Sequence, residues 1–229
     1  MQSLLISGIN GNMGKQIYQK VLGSRYNVVC GVDKTLGGNF DCPIYKDFTQ
    51  VKETVDYIVD FSSNTLFDSA LLFAVENNCA FISGTTNLTQ TQVQKAKDAS
   101  KQIPVFLSSN TALCVHLFKT CACNIAKAFD WQNVYIIETH HKNKKDMPSG
   151  TAIDLKNAID KTGKIDAQIF SKRGGNVIGE HQVTFLGDDQ TITITHNAQS
   201  RSIFVNGVML ALDFIFNKKY GFFTTNDLE

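Results

Sequence analysis

The chain has 229 residues, 43% hydrophobic and 19% charged, with 22 Lys plus Arg against 21 Asp plus Glu. That length suits one large domain or two modest ones around a buried core, and the ordinary apolar content excludes wholesale disorder. A formal charge of +1 leaves no global basic field to recruit nucleic acid, so any anion site must be local.

No apolar run approaches the roughly 20 residues of a membrane-spanning helix. The opening Met1-Gln2-Ser3-Leu4-Leu5-Ile6-Ser7-Gly8 lacks the basic stretch of a secretion signal. Six cysteines (Cys30, Cys42, Cys79, Cys114, Cys121 and Cys123) contain no C-x-x-C. They read as reduced thiols packed as small hydrophobes, with no metal or disulfide duty. A cytoplasmic protein without membrane or nucleic-acid partners is expected.

In chain order, short apolar runs predict strands at 3–7, 27–33, 57–61, 80–83 and 105–108, with helices at 12–23, 66–77 and 89–101 between them. Strands apolar at successive positions and alternating with helices imply a parallel sheet covered on both faces. Residues 34–50, rich in turn formers, read as an irregular loop. The pattern changes after Asn110: a long helix near 112–128, a strand at 134–139, a charged loop at 140–147 and a helix from 150. Strands at 180–186 and 191–196 then form an antiparallel hairpin, the second showing strict Thr-Ile alternation. One face of that hairpin is apolar and requires cover. A last helix, 203–217, returns to the first domain, giving domains of 1–111 plus 201–229 and of 112–200.

The first strand runs into Gly8-Ile9-Asn10-Gly11-Asn12-Met13-Gly14 ahead of a helical pattern. Glycines between a strand and a helix permit a tight turn and close backbone approach, and the helix N-terminus offers N–H groups to a pyrophosphate. The spacing is G-x-x-G-x-x-G, with Asn10 where a middle glycine is usual. Asp33 ends the next strand 19 positions beyond Gly14, where a carboxylate can accept from an adenosine ribose. Together the two features predict a dinucleotide site. Lys34 follows directly; it could pair with the 2′-phosphate of NADP while Asp33 favours NAD, and a merely solvated lysine reads equally well. Asp60-Phe61-Ser62 and Ser83-Gly84-Thr85-Thr86 end further strands at the same crevice.

The second constellation is Glu138-Thr139-His140-His141-Lys142-Asn143-Lys144-Lys145-Asp146-Met147-Pro148-Ser149-Gly150-Thr151-Ala152. A charge run is usually a solvated face, but this one feeds a helix starting near Ser149. First-turn N–H groups and the Thr151 hydroxyl can hold a carboxylate there, with Gly150 leaving the backbone uncovered. His140 can serve as acid or base, and Lys144 can donate a proton or stabilise negative charge. His140 and His141 point to opposite sides of an extended segment and lack a third ligand, so no metal is expected.

This segment resembles the signature of the dihydrodipicolinate (4-hydroxy-tetrahydrodipicolinate) reductase family, approximately E-[IV]-x-E-x-H-x-x-x-K-x-D-x-P-S-G-T-A. Only the first acidic position departs, being Tyr135. The likeness extends to the glycine turn, Asp60-Phe61-Ser62, Gly84-Thr85-Thr86, Ser109-Asn110, Gly179-Glu180-His181 and Ser200-Arg201, with a trimmed stretch between Thr151 and Gly179. The resemblance implies an α/β fold: an N-terminal Rossmann domain completed by the C-terminal helix, a smaller α+β domain for substrate and oligomerisation, and a homotetramer assembled through its sheets. It implies reduction of a small dicarboxylate in diaminopimelate–lysine biosynthesis with NADH or NADPH. Under it, His140 and Lys144 handle the proton, while His141, Gly150 and Thr151 bind substrate carboxylates. The cofactor would be held by Gly8, Ile9, Asn10, Gly11, Asn12, Met13, Asp33, Lys34, Gly84, Thr85, Thr86, Ser108, Ser109, Asn110 and Thr111. Two rivals stand beside it: another two-domain oxidoreductase of a small acid or semialdehyde, and a non-catalytic dinucleotide sensor. Cys114, Cys121 and Cys123 lie on a helix with no placed histidine, which disfavours the cysteine nucleophile a semialdehyde enzyme needs.

Overall fold

The computed structural model describes residues 1–163 and 165–228. The chain divides into two compact units, Met1–Thr111 with Phe204–Glu229, and Ala112–Ile203.

The first unit is a seven-stranded parallel sheet: β1 (Gln2–Ser7), β2 (Tyr26–Val32), β3 (Ile44–Tyr45), β4 (Tyr57–Asp60), β5 (Ala80–Ser83), β6 (Pro104–Leu107) and β11 (Gly221–Phe223). Their spatial order is β11-β6-β5-β4-β1-β2-β3, so the chain leaves β1 first to one side and then to the other. Reversal of strand order opens a crevice at the carboxyl ends of β1 and β4, where open α/β sheets bind ligands. Helices α1 (Asn12–Val21) and α6 (Ser202–Ile215) cover one face, with Ile17, Tyr18, Val21, Val208 and Leu212 packed on Leu4, Ile6 and Val59. Helices α2 (Asn64–Glu76) and α3 (Gln90–Ala99) cover the other through Phe67, Leu71 and Ala96. Each large apolar side chain so buried contributes about 1.5–3 kcal/mol. Gly207 lets α6 lie against the backbone, since a Cβ there would fall 1.6 Å from the Thr111 carbonyl oxygen.

The second unit carries a four-stranded mixed sheet in the order β10-β9-β7-β8, from β7 (Asn133–His140), β8 (Gln168–Arg173), β9 (Gly179–Leu186) and β10 (Thr191–Ala198). Helices α4 (Leu113–Ala128) and α5 (Gly150–Asp160) cover one face, burying Phe118, Ala122, Leu155 and Ile159 against Val134, Ile136, Val183 and Phe185. Tyr135 lies on the other face, its ring edge-on to Phe170 at 5.6 Å.

Most expected elements fall within two residues of those observed. Three expectations needed correction. The stretch 34–50 contains β3 and a 3-10 turn at Phe48–Gln50; a two-residue strand, paired to Gly31 and Val32, is too short to show periodicity. Strands β8 and β11 were not anticipated. In β8 the alternation is blurred: Ile169 packs on the core, but Phe170 faces outward, 48% exposed, and the charged Arg173 shares the inward face. Finally, Cys30 and Cys79 are buried as expected, but Cys114 and Cys121 are exposed on α4.

Candidate active site

The glycine turn closes the end of β1. Gly8 adopts φ +79°, open to glycine at little cost, and a Cβ on it would lie 2.6 Å from the Phe61 carbonyl oxygen. Gly14 brings α1 against the turn, since a Cβ there would fall 2.2 Å from Gly8 O. Gly11 caps α1 without a side chain, and no acidic residue occupies the first turn. The first-turn N–H groups of Asn12 and Met13 therefore meet no side-chain anion, which is what a pyrophosphate requires. Ile9 is fully buried and can offer only backbone. Asp33 accepts from Asn10 N at 2.9 Å and Thr35 N at 3.0 Å, while the Asn10 amide donates to the Thr35 and Gly37 carbonyls. The carboxylate is thus pinned beside the turn, and Lys34 is exposed.

At the neighbouring strand ends the side chains are more occupied than expected. Asp60, fully buried, accepts from the hydroxyls of Ser62 at 2.5 Å, Ser83 at 2.9 Å and Thr85 at 2.7 Å. The Thr85 hydroxyl is therefore committed to Asp60. Gly84 clears the Phe61 ring, which a Cβ would meet at 2.2 Å. The Ser108 hydroxyl donates to the Asn110 carbonyl at 2.7 Å, and the Thr111 hydroxyl to the Phe204 carbonyl at 2.8 Å. Thr86 and Ser109 lie in the same loops. The Ser83, Thr85, Ser108 and Thr111 hydroxyls are thus occupied within the protein, while Thr86 and Ser109 are exposed.

In the second unit, period-2 alternation carries the inner face of β7 from Val134 and Ile136 to Glu138 and His140, all buried. Here the neighbours are polar. The Glu138 carboxylate accepts two bonds from the Arg173 guanidinium, each 2.8 Å, and one from Ser149 N at 3.2 Å. It also lies 2.5 Å from His140 Nδ1. Arg173 in turn donates to the Asp146 carbonyl at 2.6 Å, tying the loop to β8. Ser149 caps α5, accepting from Ala152 N at 3.3 Å, and its hydroxyl meets His181 Nε2 at 3.2 Å. Burial alone would raise the Glu138 carboxyl, but bonds from Arg173, Ser171 and His140 outweigh it and hold it at about 2. Burial lowers His140, with Glu138 pulling the other way, and drives His181 down to about 4.

The loop from His141 to Pro148 ends in a cis Met147–Pro148 bond. Lys144 Nζ contacts Asp146 at 2.8 Å; this ammonium, helped by the Gly150 backbone against burial, keeps the Asp146 carboxyl below its ordinary range. Gly150 and Thr151 form the first turn of α5, and a Cβ on Gly150 would meet open space. His141 is half-buried, and its carbonyl accepts from Lys144 N at 3.1 Å. His140, His141, Lys144, Gly150 and Thr151 thus share one end of this unit. Glu138, Ser149 and His181, present in the sequence motifs but given no chemical role from them, also stand there, as does Arg173, which lies outside those motifs. The i, i+2 spacing of Glu138 and His140 on a strand could have exposed the first. No local signal marks Arg173.

A doubly wound parallel sheet with a glycine turn at its switch point and an acidic residue just past the end of β2 defines the Rossmann-type class of dinucleotide-binding proteins. Comparison with known proteins narrows the class. Residues 2–111 match the family description "Dihydrodipicolinate reductase, N-terminus" and residues 114–228 match "Dihydrodipicolinate reductase, C-terminus". The chain belongs to the dihydrodipicolinate reductase family. The 4-hydroxy-tetrahydrodipicolinate reductase of Caldanaerobacter subterraneus subsp. tengcongensis is 34% identical, the alignment covering 100% of this chain and 98% of the relative. That of Clostridium novyi is 32% identical over the same shares. Among solved structures, a dipicolinate-bound dihydrodipicolinate reductase from Paenisporosarcina sp. TG-14 shares the fold. Its TM-score is 0.81 at 21% identity, covering 99% of this chain and 98% of that one. Aspartate dehydrogenase of Thermotoga maritima aligns at 0.58 and 14% identity, over 95% and 98%.

Proposed function

We propose that the protein reduces 4-hydroxy-tetrahydrodipicolinate, after loss of its 4-hydroxyl as water, to tetrahydrodipicolinate with a hydride from NADH or NADPH and one proton, a step of diaminopimelate–lysine biosynthesis. The observation that carries this reading is one end of the second unit. There, a histidine backed by a buried carboxylate, a lysine and an exposed helix N-terminus stand within a dozen residues. The relatives bear the name of that activity, and the Paenisporosarcina reductase binds dipicolinate, a planar dicarboxylate.

When bound, the reduced nicotinamide supplies a hydride. The N–H groups of Gly150 and Thr151 at the start of α5, together with His141, hold the substrate carboxylates by charge and hydrogen bonding. Lys144 exchanges its contact with Asp146 for a substrate carboxylate or ring atom, and stabilises negative charge more strongly as that charge develops. His140 or Lys144 delivers the proton that completes reduction. On the first unit, Gly8, Asn10, Gly11, Asn12 and Met13 receive the pyrophosphate and Ile9 contributes backbone. Asp33 accepts from the ribose hydroxyls, and Lys34 meets a 2′-phosphate when NADPH is used. Gly84, Thr85, Thr86, Ser108, Ser109, Asn110 and Thr111 line the remaining wall through their backbone.

The same reading makes the protein a cytoplasmic homotetramer. Tyr135, Ile137 and Phe170 on the helix-free face of the second sheet support a partner copy there, and six free cysteines suit a reducing compartment.

The test supplies purified protein with the upstream synthase's product and follows loss of reduced-cofactor absorbance with NADH and NADPH in turn. Turnover with either is the expected result. Cofactor binding without turnover would point instead to a dinucleotide sensor.

A further inference from the structure

We propose that Glu138, clamped by Arg173, is a positioning residue that holds the His140 imidazole with Nδ1 turned inward and Nε2 presented to the site. The inference deepens the function proposed above and rests on it.

A purely structural ion pair would be complete once Arg173 had closed its two bonds on the carboxylate. This carboxylate goes further, with Oε2 also facing His140 Nδ1 at 2.5 Å and Oε1 taking the Ser149 N–H. An acceptor-only group on one ring nitrogen leaves the other nitrogen as the one available for proton exchange. The far side of the ring agrees with that assignment. No hydrogen bond reaches His140 Nε2 among the described residues, and a Cβ on Gly179 would come 3.1 Å from it. Glycine at 179 leaves that nitrogen uncovered. His181 stands edge-on to the ring with centroids 5.2 Å apart, which limits rotation.

The charged and titratable groups acting on His140 come from neighbouring strands and the loop: Glu138 on β7, Arg173 on β8, His181 on β9, and Lys144 in the loop. Of these, Glu138 is the anion in direct contact with the ring. Arg173 also holds the Asp146 carbonyl, so the same clamp sets the height of the loop carrying Lys144.

The experiment compares wild type, Glu138→Gln and Glu138→Asp for kcat and KM across pH, beside the 15N spectrum of imidazole-labelled protein without substrate. Glu138→Gln keeps the side-chain shape but removes the charge that favours the imidazolium. The alkaline limb of kcat should then move down by about one pH unit or more, while KM for the reduced cofactor stays within about twofold of native. Glu138→Asp keeps the charge, so its limb should return toward the native position even with kcat reduced. In the wild-type spectrum, His140 should be the tautomer protonated at Nδ1. A folded Glu138→Gln protein in which both the limb and the 15N titration of His140 are unmoved would overturn the proposal. So would a His140 protonated at Nε2, and that spectrum decides the matter if the variant does not fold. Absence of turnover by wild type would sink the functional reading alone, leaving the tautomer as the test of positioning.

Discussion

Replacing Arg173 by alanine would leave the Glu138 carboxylate, which has no solvent exposure, with both guanidinium bonds removed. The cost follows from the titration of that carboxyl, held at about 2 against an ordinary 4.5 despite burial acting in the opposite sense. At about 1.4 kcal/mol per pKa unit, this displacement corresponds to about 3 kcal/mol, shared among Arg173, Ser171 and His140 with Arg173 the largest stabilising contributor. Breaking a buried pair by removing one partner costs about 3–5 kcal/mol, so the two routes agree. A depressed carboxylate contributes its stabilisation above its unfolded pKa and loses it as pH falls through the folded value. Trp131, the single tryptophan, is 7% exposed and packs on Phe185 with ring centroids 5.6 Å apart. Its fluorescence therefore reports on the second unit. In urea at pH 7 the Arg173→Ala midpoint should fall by roughly 1.5–3 M, for an m-value of about 1–2 kcal/mol/M. The gap from wild type should narrow between pH 4.5 and 3. A midpoint within about 0.3 M of wild type at pH 7, or a gap indifferent to acid, would refute the reasoning.

Lys144→Ala should lower kcat by about 10²–10⁴-fold with much less change in cofactor affinity, measured by steady-state kinetics and titration calorimetry; near-native turnover would remove Lys144 from the proton path. Gly14→Ala forces a Cβ to within 2.2 Å of Gly8 O, so α1 must retreat from the turn. Reduced-cofactor affinity should drop at least tenfold, and unchanged affinity would remove the turn from the site. His181 is held at about 4 by burial, with His140 adding to the effect, so the unfolded chain takes up this proton first on acidification. Stability should therefore decline from about pH 6.5 toward pH 4, and His181→Gln should flatten that slope in the Trp131 assay. An equally steep slope in the variant would show that the acid loss arises elsewhere.

The two constellations differ in how far local sequence could describe them. The glycine turn is contiguous, and each glycine answers a neighbour within a few residues or on the adjacent strand, so strand–turn–helix spacing locates it. The serine and threonine ends of β5 looked equally open in sequence. Three-dimensional packing shows the Ser83 and Thr85 hydroxyls on Asp60, from a strand more than twenty residues away. His140 and Lys144 share one motif and could be named together. Arg173 is 35 residues from Glu138, on a strand whose outward phenylalanine and inward arginine blur the usual alternation.

What the amino-acid order determined alone was local: apolar runs of strand length, helical periods between them, a turn only glycines can make, and a basic loop entering a capped helix. These follow from backbone sterics and side-chain periodicity, which act over a few residues. Which polar groups lose their water, and which partners then compensate them, was decided only when distant strands paired. Parallel pairing of β7 with β8 brings Arg173 beside His140, and antiparallel pairing with β9 sets His181 opposite Glu138. Desolvation and charge pairing depend on distance through space, and chain order carries no record of that until the sheet has formed.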